Sequence, residues 1–272
     1  MKNHLIAENR LIDDLRYLWS RHELIRTWTL MNIHAQYINT KLGLVWIFLE
    51  PLITTMVYTL AFGELLRARP PRGGVPFICF YLSGIVFWKF FSSCITKSLR
   101  SIISNIGLMT EVRFPRESAV LVDFLQNMVD FFASFLIMMI ILAFYGIYPN
   151  QGYVFIPLIL LVTSMITIGL MFFFSSLSVF IQDIGQIIGP ILRLLFFISG
   201  VIFQVENAPQ PYGTLLQFNP MLLIIESFRN IVLYGETPDM RLMAGLGLAG
   251  IIMLIAGYRY FKKKDATFVD HL

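Results

Sequence analysis

Apolar residues run in blocks long enough to cross a membrane, and the polar residues collect between them. A transmembrane helix needs about 20 mainly apolar residues to cover a hydrocarbon core about 30 Å thick. Six stretches qualify, at about 43–65, 76–99, 118–145, 153–180, 185–204 and 240–261. Turn signals separate them: Pro70-Pro71, Gly73-Gly74, Phe114-Pro115, Pro149-Asn150 and Gln151-Gly152. Glu50-Pro51 interrupts the first block. The second turns polar at Ser92, Ser93, Thr96, Lys97 and Ser98, which predicts that its C-terminal third leaves the bilayer.

Two other stretches are helical without being spans. Over 10–30, Leu11, Ile12, Leu15, Leu18, Trp19 and Ile25 share one arc of a helical wheel, with Asp13, Asp14, Arg16, Ser20, Arg21 and Glu23 opposite. That pattern predicts an amphipathic helix lying on membrane lipid, with a soluble partner as the alternative seat. Met221–Tyr234 is apolar at helical spacing but only 14 residues long, too short to cross. Asn219-Pro220 starts it well, since Asn caps exposed N–H groups and Pro suits the first turn. Short helices dipping into the outer leaflet over about 205–239 fit better than a seventh span. The expected fold is an all-α integral membrane protein: residues 1–42 as an N-terminal region with an interface helix, then 43–272 as a six-span domain with a re-entrant segment before the last span.

Composition agrees with that reading and orients it. The 272 residues are 57% hydrophobic and 14% charged, against about 25% charged in soluble domains. The net charge of +4 matters through its distribution, and no nucleic-acid partner follows from it. With both termini inside, the cytoplasmic segments hold Lys2, Arg10, Arg16, Arg21, Arg26, Lys41, Lys97, Arg100, Arg113, Arg116, Arg259, Lys262, Lys263 and Lys264. The outer segments hold only Arg67, Arg69, Arg72, Arg229 and Arg241. This positive-inside bias places both ends in the cytoplasm, although the arginines at 67–72 run against it locally. Met1–Arg10 has no apolar core of a removable signal peptide. Cys79 and Cys94 match no zinc or redox spacing and read as packing residues.

No catalytic constellation is present. There is no G-x-x-x-x-G-K-[ST] and no Gly-Lys pair, so the chain has no P-loop for a nucleotide phosphate. His4, His22, His34 and His271 lie outside the spans, and there is no H-E-x-x-H or nucleophile elbow. No metal and no cofactor is expected in this chain.

Charges inside spans are costly and normally face protein or water. Asp123, Asn127, Asp130 and Ser134 form one polar stripe on the third span. It reads equally as the wall of a hydrated path or subunit contact and as a hydrogen-bond ladder between helices. Glu50, Lys89 and Arg193 are single intramembrane charges, read first as pair members or snorkelling ends. Among the 40 aromatic residues, the cluster with Phe80, Tyr81, Phe87 and Trp88 has the chemistry to stack on sugar rings, although lipid contact accounts for most such residues.

At this point a family resemblance emerges. Lys41-Leu42-Gly43-Leu44-Val45-Trp46, followed by Glu50-Pro51-Leu52, resembles the opening of ABC exporter permeases that move polysaccharides; Val57-Tyr58 and Phe62 continue it. Asn105 to Glu117, ending Phe114-Pro115-Arg116-Glu117, looks like that family's cytoplasmic loop between spans two and three. Asp183 and the Asn219-Pro220…Arg229 segment also match, whereas Gln182 replaces a usual Arg and Ser199-Gly200-Val201 stands where Ser-Pro is usual. The likeness runs nearly end to end and is nearest the O-antigen and teichoic-acid branch, with the capsule exporters second.

The resemblance implies a homodimeric permease paired with two copies of an ABC ATPase subunit, which would bind the ATP and Mg. The substrate would be a polysaccharide on an undecaprenyl-type lipid carrier. The expected ATPase-coupling residues are Asn105, Met109, Glu111, Arg113, Phe114, Pro115, Arg116 and Glu117. Asp123, Asn127, Asp130, Glu50, Lys89 and Arg193 are the candidate channel or subunit contacts, and Asn219, Pro220, Glu226 and Arg229 the candidate re-entrant gate. Competing classes are a drug or lipid exporter permease and a membrane enzyme acting on lipid-linked sugars.

Overall fold

The computed structural model describes residues 20–38, 41–65, 72–105, 107, 115–181, 183–204, 216, 218–265, 267 and 268. Among them there are helices and turns and no strand. Eight α-helices follow in order: α1 (His22–Ile38), α2 (Trp46–Tyr58), α3 (Phe77–Ser101), α4 (Glu117–Phe144), α5 (Ile156–Phe180), α6 (Ile184–Ile198), α7 (Pro220–Tyr234) and α8 (Met240–Asp265). Five helical stretches are long and apolar enough to span a membrane: Trp46–Gly63, Phe77–Ser101, Glu117–Phe144, Gln151–Phe180 and Met240–Asp265.

Local sequence explains where these helices start and stop. Pro51 inside α2 removes a backbone donor, and the helix passes into a π-helical turn over Thr59–Leu65. α4 ends on Gly146 at φ 78°, where the Gly146 and Ile147 N–H groups return to Ala143 and Leu142, a Schellman closure. Asn219 caps α7 through Met221 N–H at 3.0 Å, and Pro220 occupies its first turn, as the sequence predicts. Gly235, at φ 69°, closes α7. Asp239 then caps α8 at 2.8 Å to Arg241 N–H.

α3 is the hub, packed against α2, α4, α5, α6 and α7. Phe87 meets Phe131 at 5.2 Å and Phe228 at 4.5 Å between ring centroids, and Phe90 meets Phe131 at 5.3 Å. Lipid tails are as apolar as these side chains, so inside a bilayer such contacts act through close packing rather than escape from water. α8 lies along α5, the most extensive pairing in the molecule. A Cβ at Gly169 would lie 2.5 Å from the Met253 backbone, so only glycine permits that approach.

Two expectations need correction. The amphipathic helix, placed at 10–30, continues to Ile38 and seats Ile25 and Thr29 against α4; its first half lies outside the described residues. The fifth block, read as a span over 185–204, is helical only to Ile198, about 22 Å at 1.5 Å per residue. The chain turns there at Ser199 and at Gly200, φ 69°. The polar third of the second block stays helical to Ser101, with Ser98 and Ser101 buried against neighbouring helices.

Candidate functional site

The polar stripe of α4 is answered by one on α3. Lys89, Ser93, Lys97 and Ser101 recur every four residues on α3, which brings them onto one face. Ser101 Oγ donates to the Asp123 carboxylate. Lys97 Nζ stands 3.9 Å from Asp130, and Lys89 Nζ forms an ion pair with Glu50 of α2 at 2.8 Å. Within α4, Asn127 Nδ2 and Ser134 Oγ donate to the Asp123 and Asp130 carbonyls, both at 2.8 Å. Lys89, Ser93, Asn127, Asp130 and Ser134 border a gap of about 20 Å³, room for roughly one water molecule. The stripe is thus a polar seam between two helices of one protomer. Sequence reading found its α4 half and took Lys89 as a single charge, without the four-residue recurrence on α3 that was visible in the spacing.

At the end of the bundle where α8 finishes in Lys262–Lys264, the seam widens into a cavity of about 980 Å³ lined from α1, α3, α4, α5 and α6. Next to it, α4 begins with a clamp. Arg116 donates to the Asp265 carboxylate at 2.8 Å and to its carbonyl, and Glu117, which is buried, pairs with Lys262. Arg116 and Glu117 of the expected coupling loop are therefore held on the last turns of α8, and Pro115 accepts from the Ser118 N–H at the start of α4. Asn105 donates to Ser101 O at 2.8 Å. Met109, Glu111, Arg113 and Phe114 lie outside the described residues.

The aromatic residues expected to stack on sugars are core residues instead. Phe80, Tyr81, Phe87 and Trp88 are all buried. Tyr81 stacks on Tyr58 at 5.0 Å, and Trp88 packs on Phe91 and Phe196. Their faces are taken by neighbours because α3 is enclosed on nearly every side. Exposed aromatic rings lie on α2, α4 and α6, among them Trp46, Phe48, Phe132, Phe144 and Phe197. Arg193 is also exposed on α6.

Arg229, counted from sequence among the outer-segment charges, is fully enclosed. Its guanidinium lies 3.6 Å from the Phe80 ring centroid. It donates to Ser83 Oγ at 3.2 Å, Gly200 O at 3.0 Å, Phe80 O at 3.3 Å and Val201 O at 3.4 Å. Asn219 Nδ2 reaches Ser199 Oγ at 2.9 Å, so α7 starts where α6 stops. Pro220 is exposed and Glu226 half-buried on the same helix.

A family model for the ABC-2 type transporter matches residues 24–233, which takes in α1 through α7. The chain belongs to the ABC-2 type transporter family. Among its relatives, this ABC-2 chain is 26% identical over 260 residues to an O-antigen export system permease protein of Klebsiella pneumoniae, covering 95% of this chain and 97% of that one. A protein of the same description from Myxococcus xanthus is 25% identical, with 95% and 98% covered. The polysialic acid transport protein of Escherichia coli is 22% identical, with 88% and 93% covered. As an ABC-2 chain with several apolar helices, it is a multi-pass inner-membrane transport permease rather than an enzyme.

Proposed function

We propose that this chain is the membrane-spanning subunit of an ABC exporter that moves a lipid-linked, O-antigen-like polysaccharide across the cytoplasmic membrane. The observation that carries the reading is the match to O-antigen export permeases over 95% of this chain. On this reading the basic end of the bundle faces the cytoplasm, where two copies of a separate ATPase subunit bind ATP and Mg and engage Asn105–Glu117. Two copies of the permease pair through the outward faces of α2 and α6, which carry exposed Trp46, Phe48, Leu52, Ile191, Leu194 and Phe197. Side by side, such faces leave a path for a glycan on an undecaprenyl-type carrier. α6 and α7 together make one crossing; of the re-entrant segment expected over 205–239, residues 205–215 and 217 lie outside the described residues.

The test has two parts. Purified alone, free of contaminating ATPase, the chain should hydrolyse no ATP, and joining its ATPase partner should give turnover. Cells lacking the chain should lose the surface polymer and accumulate it inside on its lipid carrier. Normal surface polymer in those cells would overturn the reading.

A further inference from the structure

At the basic end lies a cleft of about 980 Å³, open on one side, where polar groups from several helices converge as they do in ligand sites. It lies within one protomer, and its size matches the upper range of ligand pockets. Its lining includes Gln36 of α1, Lys97 and Arg100 of α3, Asp123 and Gln126 of α4, and Gln186 of α6.

Three observations define what fits. First, the Lys97 ammonium nitrogen is buried and makes no hydrogen bond, although its stem is partly exposed; Asp130 is 3.9 Å away, beyond hydrogen-bond reach. A buried ammonium without acceptors is costly, and a ligand oxygen would relieve it. Second, Arg100 follows three residues later on α3 and is exposed, so a second cation borders the same space. Third, Asp123 accepts one bond from Ser101, and a carboxylate has further acceptor capacity. Glutamine amides from three helices stand around it.

Two cations alone would suit a bare phosphate, but a carboxylate between them repels one. A carboxylate and amides alone would suit a neutral sugar, which has no need of two cations. A phosphorylated polyol satisfies both sets: phosphate oxygens accept from Lys97 and Arg100, and hydroxyl groups donate to Asp123 and the amides. On the α6 side the space is open, since a Cβ at Gly185 would meet nothing within 4 Å and Gln186 is exposed.

We propose that this cavity binds the sugar–phosphate junction of the lipid-linked glycan in each protomer before transfer, an assignment that rests on the export reading above. A phosphatidylglycerol head group shares the chemistry, and the experiment separates the two. The full permease–ATPase complex is placed in phosphatidylcholine nanodiscs and titrated with a farnesyl diphosphate-linked N-acetylhexosamine, with binding read by native mass spectrometry. The wild-type complex should bind one probe per protomer. Lys97→Met and Arg100→Gln should weaken binding at least tenfold, and Lys97→Arg should restore most of it. Asp123→Asn should lose the preference for the glycosylated probe over farnesyl diphosphate. Gln186→Leu, on the exposed side of α6 and outside the α3–α4 seam, keeps the test open if a seam variant fails to assemble, and should weaken binding several-fold.

Unchanged binding in assembled variants, or no binding by the wild type, would overturn the assignment. So would displacement of the probe by phosphatidylglycerol at equal concentration, which would make the cavity a phospholipid site. Failure here combined with loss of surface polymer in cells lacking the chain would remove the cavity proposal and leave the export reading intact. Intact surface polymer in those cells would remove both.

Discussion

Arg229 shows how one side chain joins three parts of the molecule. It reaches from α7 to two α3 groups, Ser83 and Phe80, and to the turn after α6 through Gly200 and Val201. Space for it comes from Gly84, where a Cβ would lie 2.7 Å from the guanidinium and 3.1 Å from Val201 Cα. Replacing Arg229 with Met would take this donor from the Gly200 and Val201 carbonyls, each at a cost of about 1–3 kcal/mol, whereas Phe80 O would still accept from Ser83 Oγ. Arg229→Lys would do little better, because an ammonium lacks the planar fork that serves several carbonyls at once. Both variants, and Gly84→Val, should lower the thermal midpoint of the detergent-purified protein and free the α6–α7 turn for limited proteolysis. A midpoint and cleavage pattern like the wild type's in Arg229→Met would show that the network holds nothing together. Sequence alone presents Arg229 as an outer-segment cation; only the fold shows that its neighbours are carbonyls 28 and 149 residues away.

Among the elements, α5 and α8 form the tightest pair, and the reason is the glycines. Gly169 faces the backbone of Met253 and Leu254, and a Cβ there would lie 2.5–2.6 Å from backbone atoms that cannot move aside. In lipid, where apolar burial gives little between helices, close backbone approach is a main source of attraction. Gly169→Leu should therefore separate the helices, seen as loss of the monodisperse fraction in detergent and a lower thermal midpoint. Gly245→Ala, on the same α8 but with nothing within 4 Å of its Cβ position, should leave both unchanged. Equal behaviour of the two variants would remove the glycine contact as a determinant. At this scale the sequence is legible where the physics is local. Span positions follow from length and hydropathy, and the start of α7 from Asn219-Pro220. It is illegible where meaning depends on a partner helix. Lys97 and Ser101 have no visible counterpart in the sequence until α4 is seen to present Asp130 and Asp123 to them. Phe80, Tyr81, Phe87 and Trp88 read as platforms until α3 is seen to be enclosed.

For the whole molecule, the α4–α8 clamp connects the loop expected to meet the ATPase with the tightest helix pair in the bundle. Arg116 and Glu117 end that loop, and they hold Asp265 and Lys262 on the last turns of α8. A push on the loop then reaches α8, and through the glycine contact α5, rather than bending a single helix. The clamp is testable by exchange of charge. Glu117 is 1% exposed, so Glu117→Lys sets two ammonium groups together in a buried place. Breaking a buried pair by removing one partner costs about 3–5 kcal/mol; a second ammonium in its place costs at least that. Lys262→Glu creates the mirror fault with two carboxylates. The double exchange restores attraction, but each new charge then sits at the wrong end of its helix dipole. Glu117 belongs to the first turn of α4 and Lys262 to the last of α8, and each reversal costs about 0.3–1 kcal/mol. Each single variant should assemble poorly and lose substrate-stimulated ATP turnover in the complex. The double variant should recover most of the assembled protein and turnover yet remain below the wild type. A double variant no better than its parents would mean that the two side chains do not act as a pair. Single variants with normal turnover would mean that force from the ATPase reaches the bundle by another route.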